Sequence, residues 1–383
     1  SGSARSVNVT GKTGGTVTFS GAITDTDTGI NLNTNTGAII NFTGGLALST
    51  GTNPAFTVTG GGTVSATQNN TSIVNTITTS TGTALNVANT TIGASNLTFR
   101  SISANGAVNA IVLNTTGNSG GLTITGNSSG LCGGSVGSGP PASAATVTAP
   151  VTADCTGGTI QNTTGPGILL TNTSNISITR LRLINSGNDG VQGTNVTGFS
   201  LSSSFLDSNG NALNENGLDF GDSSSVTPDG LHGTGSITNS TVQNSYYNGV
   251  SIRNNSGIAL TSFNITGSQF RANAANGDAN DSVFMEAGGT ANMAISVSGS
   301  FFASIEGDHF QTAALNSGIL NVNFTNNTLT GGHSTPLGQG ITINAATGVP
   351  GWNGRIDYDI NGNNITGAAS NGVSVVLGTS SAA

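Results

Sequence analysis

Short stretches in which apolar and small polar residues alternate return along the whole chain. In the N-terminal third, Ile30-Asn-Leu-Asn, Phe56-Thr-Val-Thr, Leu85-Asn-Val-Ala and Ile111-Val-Leu-Asn begin at intervals of 26 to 29 residues. In the remainder, a glycine followed by an apolar residue marks the repeat: Gly167-Ile168, Gly190-Val191, Gly217-Leu218, Gly249-Val250, Gly340-Ile341 and Gly372-Val373. Phe284 and Phe310 are read as the central apolar residues of the two repeats without the glycine. A second apolar step precedes each of these, as at Thr159-Ile160, Ser204-Phe205, Thr241-Val242, Gln269-Phe270, Thr328-Leu329 and Asn364-Ile365. A third follows: Ile176-Ser-Ile178, Phe199-Ser-Leu201, Ile295-Ser-Val297, Val322-Asn-Phe324 and Ile356-Asp-Tyr358. Period-two alternation over four or five residues argues for half-buried strands, and Gly and Asn between them argue for turns.

Three such strands in each repeat predict an all-β fold, a right-handed parallel β-helix with three sides and about a dozen coils. The solenoid is expected to run as one body over residues 1–383, with Ile, Val, Leu and Phe inside and Ser, Thr and Asn outside. One polar position supports the register. Asp189, Asn216, Asn248, Asp308, Gln339 and Asn371 each lie two residues before a central apolar residue. Stacked coils would bring them above one another at about 4.8 Å. Asn and Asp tolerate left-handed turns and bond neighbouring backbone, so the column predicts a structural ladder.

Composition narrows the function classes. Charged residues make up 6% of the chain and aromatic residues 5%, yet β-branched residues recur too regularly for a disordered segment. With a net charge of −8 and Lys12 as its single lysine, the chain lacks the clustered cations that nucleic acid requires. No apolar run approaches the roughly 20 residues of a membrane helix. The start at Ser1 reads as a processed or excised segment. Cys132 and Cys155 bracket a Gly- and Pro-rich excursion (Gly139-Pro-Pro-Ala142), and a disulfide closing 132–155 is predicted. Such a bond would contribute roughly 3 kcal/mol and suits an oxidising compartment, hence a secreted or cell-surface location.

The Asn-Gly turn tracts, with Asn188-Asp189-Gly190-Val191 as the example, resemble those of right-handed β-helix repeat proteins. That group includes pectate lyases, polygalacturonases, phage tailspikes and bacterial autotransporter or haemagglutinin-type passengers. The style looks most like the large Asn/Thr/Gly-rich repeat proteins of bacterial surfaces, of the pectate-lyase-like superfold. The resemblance implies a non-catalytic structural or adhesive role with a glycan or cell-surface ligand as partner. Further coils or domains, or end-to-end association, would cover the open ends of such a solenoid.

The enzymatic alternative is a polysaccharide lyase or glycoside hydrolase acting on an acidic polysaccharide. It would use Asp189, Asp219 and Asp222 with Arg253, because paired carboxylates, or carboxylates with calcium and an arginine base, can break glycosidic linkages. The chain departs from the polygalacturonase pattern: it has no Asp-Asp pair, and it reads Leu231-His232-Gly233 and Ile252-Arg253-Asn254. No resident cofactor is expected; calcium is considered at Asp25 and Asp27, and between coils at Asp278, Asp281 and Glu286 or at Glu306 and Asp308. Glu286 falls on an inward position in this register, with Arg271 as its candidate partner. His232, His309 and His333 have no ligand spacing for zinc. Tyr246, Tyr247 and Trp352 are the candidate sugar-stacking aromatics. Thr-x-Thr steps at Thr16, Thr57, Thr76 and Thr123 raise a remote ice-binding or filament-forming alternative.

Overall fold

The computed structural model describes residues 4–127, 129–137, 139, 141, 143–221, 229–255, 257, 259–272, 280–303, 305–331, 338–345 and 353–377. The chain divides into two compact units, Ser1–Cys132 with Val151–Gln192, and Gly133–Pro150 with Gly193–Ala383. Apart from a 3-10 turn at Thr152–Asp154, the regular structure described is β-strand.

In the first unit the strands stack into three parallel rows. One row holds Val7–Thr10, Ile30–Asn33, Phe56–Thr59, Leu85–Ala88, Ile111–Asn114 and the start of Ile168–Thr179. The next holds Thr16–Phe19, Ile39–Phe42, Thr63–Ala66, Thr91–Phe99, Leu122–Ile124 and the end of Ile168–Thr179. Ile23–Asp25, Leu46–Gly51, Asn75–Thr79, Ser101–Asn105, Thr159–Gln161 and Arg182–Ile184 form the third. The chain visits the rows in turn, which makes a parallel β-helix. Ile30, Phe56, Leu85, Ile111 and Ile168 occupy one column and are fully buried. Phe19, Phe42, Phe56 and Phe99 pass ring contacts through the core at 5.0–6.1 Å. The predicted Cys132–Cys155 disulfide is present, with Cα atoms 4.7 Å apart.

The second unit is built the same way. Its first row runs through Leu218–Phe220, Val250–Asn254, Val283–Ala287, Phe310–Ala314, Ile341–Ala345 and Val373–Leu377. Its second takes in Leu231–Thr238, Ala259–Thr266, Asn292–Ser298, Ile319–Thr325 and Arg355–Asn361. Phe205–Asp207, Thr241–Gln243, Gln269–Arg271, Phe301–Ala303, Thr328–Thr330 and Asn364–Ile365 make the third. The excursion after Cys132 is an antiparallel pair, Ser135–Gly137 with Ser143–Thr148. It lies against the third row, where Thr241 Oγ1 donates to Gly133 O (2.7 Å) and Gln269 Nε2 to Thr148 O (2.8 Å).

Polar corners hold the coils of this unit together. After each second-row strand comes a left-handed residue: Ser203, Asn239, Gly267, Gly299, Asn326 and Gly362, with φ between +48° and +65°. Gly and Asn reach that region at little cost. The next residue is a ladder rung, buried at Ser204, Ser240, Ser268, Ser300 and Asn327. Backbone N–H groups of Ser204, Ser240, Ser268, Ser300 and Asn327 donate to the side-chain oxygens of Ser240, Ser268, Ser300, Asn327 and Asn363 one coil on, at 2.8–3.3 Å. The ladder expected from the sequence is the second such column and points the opposite way. N–H groups of Asn248, Asp281, Asp308 and Gln339 donate to the side chains of Asn216, Asn248, Asp281 and Asp308 at 2.7–3.0 Å. Asn371 Nδ2 reaches Gln339 Oε1 at 3.4 Å. Asp189 belongs to the first unit, where its Oδ2 accepts from Gln192 Nε2.

Two expectations about register are corrected. Val283, not Phe284, lies in the central apolar column with Val250 and Phe310; Phe284 faces out beside Ser251. Asp281 is therefore a rung of the ladder. Glu286 becomes an outward residue beside Arg253 rather than an inward one served by Arg271. In the third row Leu206, not Phe205, aligns with Val242 and Phe270, although both are buried. The glycine steps have a direct cause. A Cβ at Gly249 would lie 2.5 Å from Ser282 O, and one at Gly340 would lie 2.3 Å from Gly372 O.

Candidate functional site

Outward-facing side chains of the second row line an open cleft of about 430 Å³ in the second unit. Register places Asn264, Ser296, Asn323 and Asp359 in one column and Ala294, Asn321 and Asp357 in the column beside it. Coils repeat at about 4.8 Å, so amide, hydroxyl and carboxylate groups stand in rows at that spacing. Ala294 lines the cleft beside Asn321 and puts a methyl group among these longer side chains. Ser262 closes one side, its Oγ accepting from Asn264 Nδ2 at 3.0 Å. At the other side Arg355 pairs with Asp357 at 2.7 Å. That exposed pair adds little stability but holds the Asp357 carboxylate in place. Beneath the cleft Tyr358 turns inward, its hydroxyl 2.6 Å from Thr312 Oγ1, and burial raises the phenol well above its ordinary range. The open lining is mostly apolar and is edged by amide, hydroxyl and carboxylate groups. Such a rigid surface suits a ligand with both carbon faces and hydroxyls, because few groups need ordering on binding.

The sequence had pointed instead to the central acids. Asp219 sits on Leu218–Phe220 and faces outward as expected, while Asp189 is buried in the first unit; Asp222 lies outside the described residues. Arg253 stands beside Glu286, with its guanidinium 5.3 Å from the centre of the Phe284 ring. Glu286 is 7% exposed and Asp229 1%. Burial raises the Glu286 carboxyl, Arg253 offsets part of that, and Asp229 adds to it. His232 is buried, and its loss of solvent lowers the imidazole below its usual value. Both carboxylates are largely closed off from solvent, while Asp219 and Arg253 are half-buried.

Asp25 is filled by hydrogen bonds. Ser6 N and Oγ donate to Oδ2, and Asp27 N donates to Oδ1 at 2.8 Å. Burial pushes its pKa up, but these bonds, with one from the Gly29 backbone, bring it below the ordinary value. This is the geometry of a turn brace. Among the described residues no group of three or more His, Cys, Asp or Glu side chains could hold a metal ion. Asp281 and Asp308 belong to the ladder; Asp278, His333 and Trp352 lie outside the described residues. Tyr246 and Tyr247 are half-buried, their backbone N–H groups tied to Asn209 O and Glu215 O. The Thr-x-Thr steps fall on all three rows, with Thr57 and Thr76 on different ones, so they form no single array. Comparison with family models, curated proteins and solved structures gives no match for this chain. Among the described residues no helix is long and apolar enough to cross a membrane.

Proposed function

We propose that this protein is an extracellular parallel β-helix with a structural or adhesive role, binding glycan along its polar flank without cleaving it. The cleft over Ala294 carries this reading. Asn264, Ser296, Asn321, Asn323 and Asp359 offer donors and acceptors in parallel rows, the pairing that sugar hydroxyls require. The Cys132–Cys155 disulfide supports a secreted or surface location.

The test is titration of the purified protein with neutral and acidic oligosaccharides, with reducing ends assayed in parallel. Binding without new reducing ends is expected. The double variant Asn321→Ala/Asn323→Ala should weaken it roughly tenfold or more, the worth of one or two hydrogen bonds. A chain that retains no glycan, or one whose binding ignores both asparagines, removes the reading.

A further inference from the structure

The third row of the second unit carries an arginine that forms no ion pair among the described residues. Arg271 ends the strand Gln269–Arg271 and faces outward, between Gln243 on one neighbouring strand and Ala303 on the other. Its guanidinium lies 5.2 Å from the centre of the Phe301 ring, which fixes the long side chain by a cation–π contact. Nε is buried and has no hydrogen-bond partner. The ion pair found among the described residues is Arg355–Asp357, on a different row. Arg271 is thus partly withdrawn from water without an ion-pair partner among the described residues, and burial lowers its pKa. In a chain of net charge −8, a half-buried arginine with no carboxylate paired to it among the described residues is unexpected.

Beside it is a notch of about 290 Å³ lined by Gln243, Asn244, Arg271, Ala272 and Ala303. The two alanines leave the space open. The amides are oriented: Gln243 Nε2 and Asn244 Nδ2 both donate to Asp207 Oδ1, at 3.2 and 2.7 Å. Each amide keeps a second N–H and its carbonyl oxygen, so both can donate and accept. The notch therefore offers one forked cation and two amides, each held by one hydrogen bond to the Asp207 carboxylate.

We propose that this notch binds a carboxylate carried on a hydroxylated small molecule, a sugar acid, with Arg271 gripping the carboxylate and Gln243 and Asn244 taking hydroxyl protons. A guanidinium matches a carboxylate bidentately, whereas a polyphosphate backbone would need several cations. The site lies on a different row from the cleft over Ala294 and does not rest on the reading of that cleft.

The test is calorimetric titration with D-glucuronate, D-glucose and acetate. Glucuronate should bind, acetate more weakly, and glucose not detectably; added salt should weaken glucuronate. Arg271→Met keeps the stem over Phe301 and should cost roughly tenfold to hundredfold in affinity, the worth of a charge-assisted pair. Arg271→Lys, which keeps charge but loses the fork, should fall between, and melting curves verify that each variant is folded. Asn321→Ala/Asn323→Ala should leave glucuronate at this notch unchanged, which separates failure here from failure of the cleft. Glucose binding as well as glucuronate, acetate matching glucuronate, or Arg271→Met titrating like the parent protein would each overturn the proposal.

Discussion

Asp281 shows how a single residue can be read correctly in type and misread in place. Its Oδ1 accepts Asp308 N–H at 2.7 Å, and its own N–H goes to Asn248 Oδ1. The ladder needs the oxygen and not the charge. Burial and the neighbouring Asp308 raise the Asp281 pKa well above 3.8. The folded state then holds a proton that the unfolded chain releases. Stability from this rung is fully present below pH 3.8 and is lost as pH rises through the raised folded value. Asp281→Asn keeps the acceptor and removes the charge. Urea melts should show it more stable than the parent at pH 7 and flatter across that window, while Asp281→Ala loses the acceptor and about 1–3 kcal/mol. The rung was hidden because Val283 and Phe284 are adjacent apolar residues, and period two alone cannot say which faces in. The same slip concealed Glu286 beside Arg253.

At the scale of strands and corners, alternation was legible almost throughout. The column Ile30, Phe56, Leu85, Ile111 and the glycine steps at Gly249 and Gly340 both read directly from spacing. The serine ladder did not, since Ser240, Ser268 and Ser300 are indistinguishable in sequence from the many serines that face water. The cleft was equally invisible, because it depends on Ala294 lying between side chains from neighbouring coils, a lateral relation that no local pattern carries. The glycine steps make a sharp prediction. Gly249→Ala drives a methyl toward Ser282 O and should cost about 1–3 kcal/mol. Gly21→Ala, with nothing within 4 Å of the added carbon, should be near neutral by the same thermal melts.

For the molecule as a whole, each coil depends on its neighbours for its core and its corner hydrogen bonds. The last described strand, Val373–Leu377, pairs with Ile341–Ala345 and leaves Val375 60% and Leu377 72% exposed. In Val283–Ala287, partners on both sides leave Val283 and Met285 fully buried. Native-state amide exchange should be orders of magnitude faster in Val373–Leu377 than in Val283–Ala287, reflecting a lower local opening free energy. Equal protection would mean that the terminal strand is covered in solution. The repeat made the stacked strands of each unit legible, whereas the Arg271 notch follows from a register that only stacking supplies.

The stacking bonds within a unit have a mechanical meaning. They run from coil to coil, so tension along the stacking direction loads successive coils in series. The weakest contact then yields first, and one turn peels away while the rest stay folded. Ile341 and Val373 are stacked partners 32 residues apart (373 − 341). Losing that turn frees roughly 110 Å of extended chain. A tether built this way lengthens in steps under load, giving slack to a bond at its tip instead of passing on the whole pull.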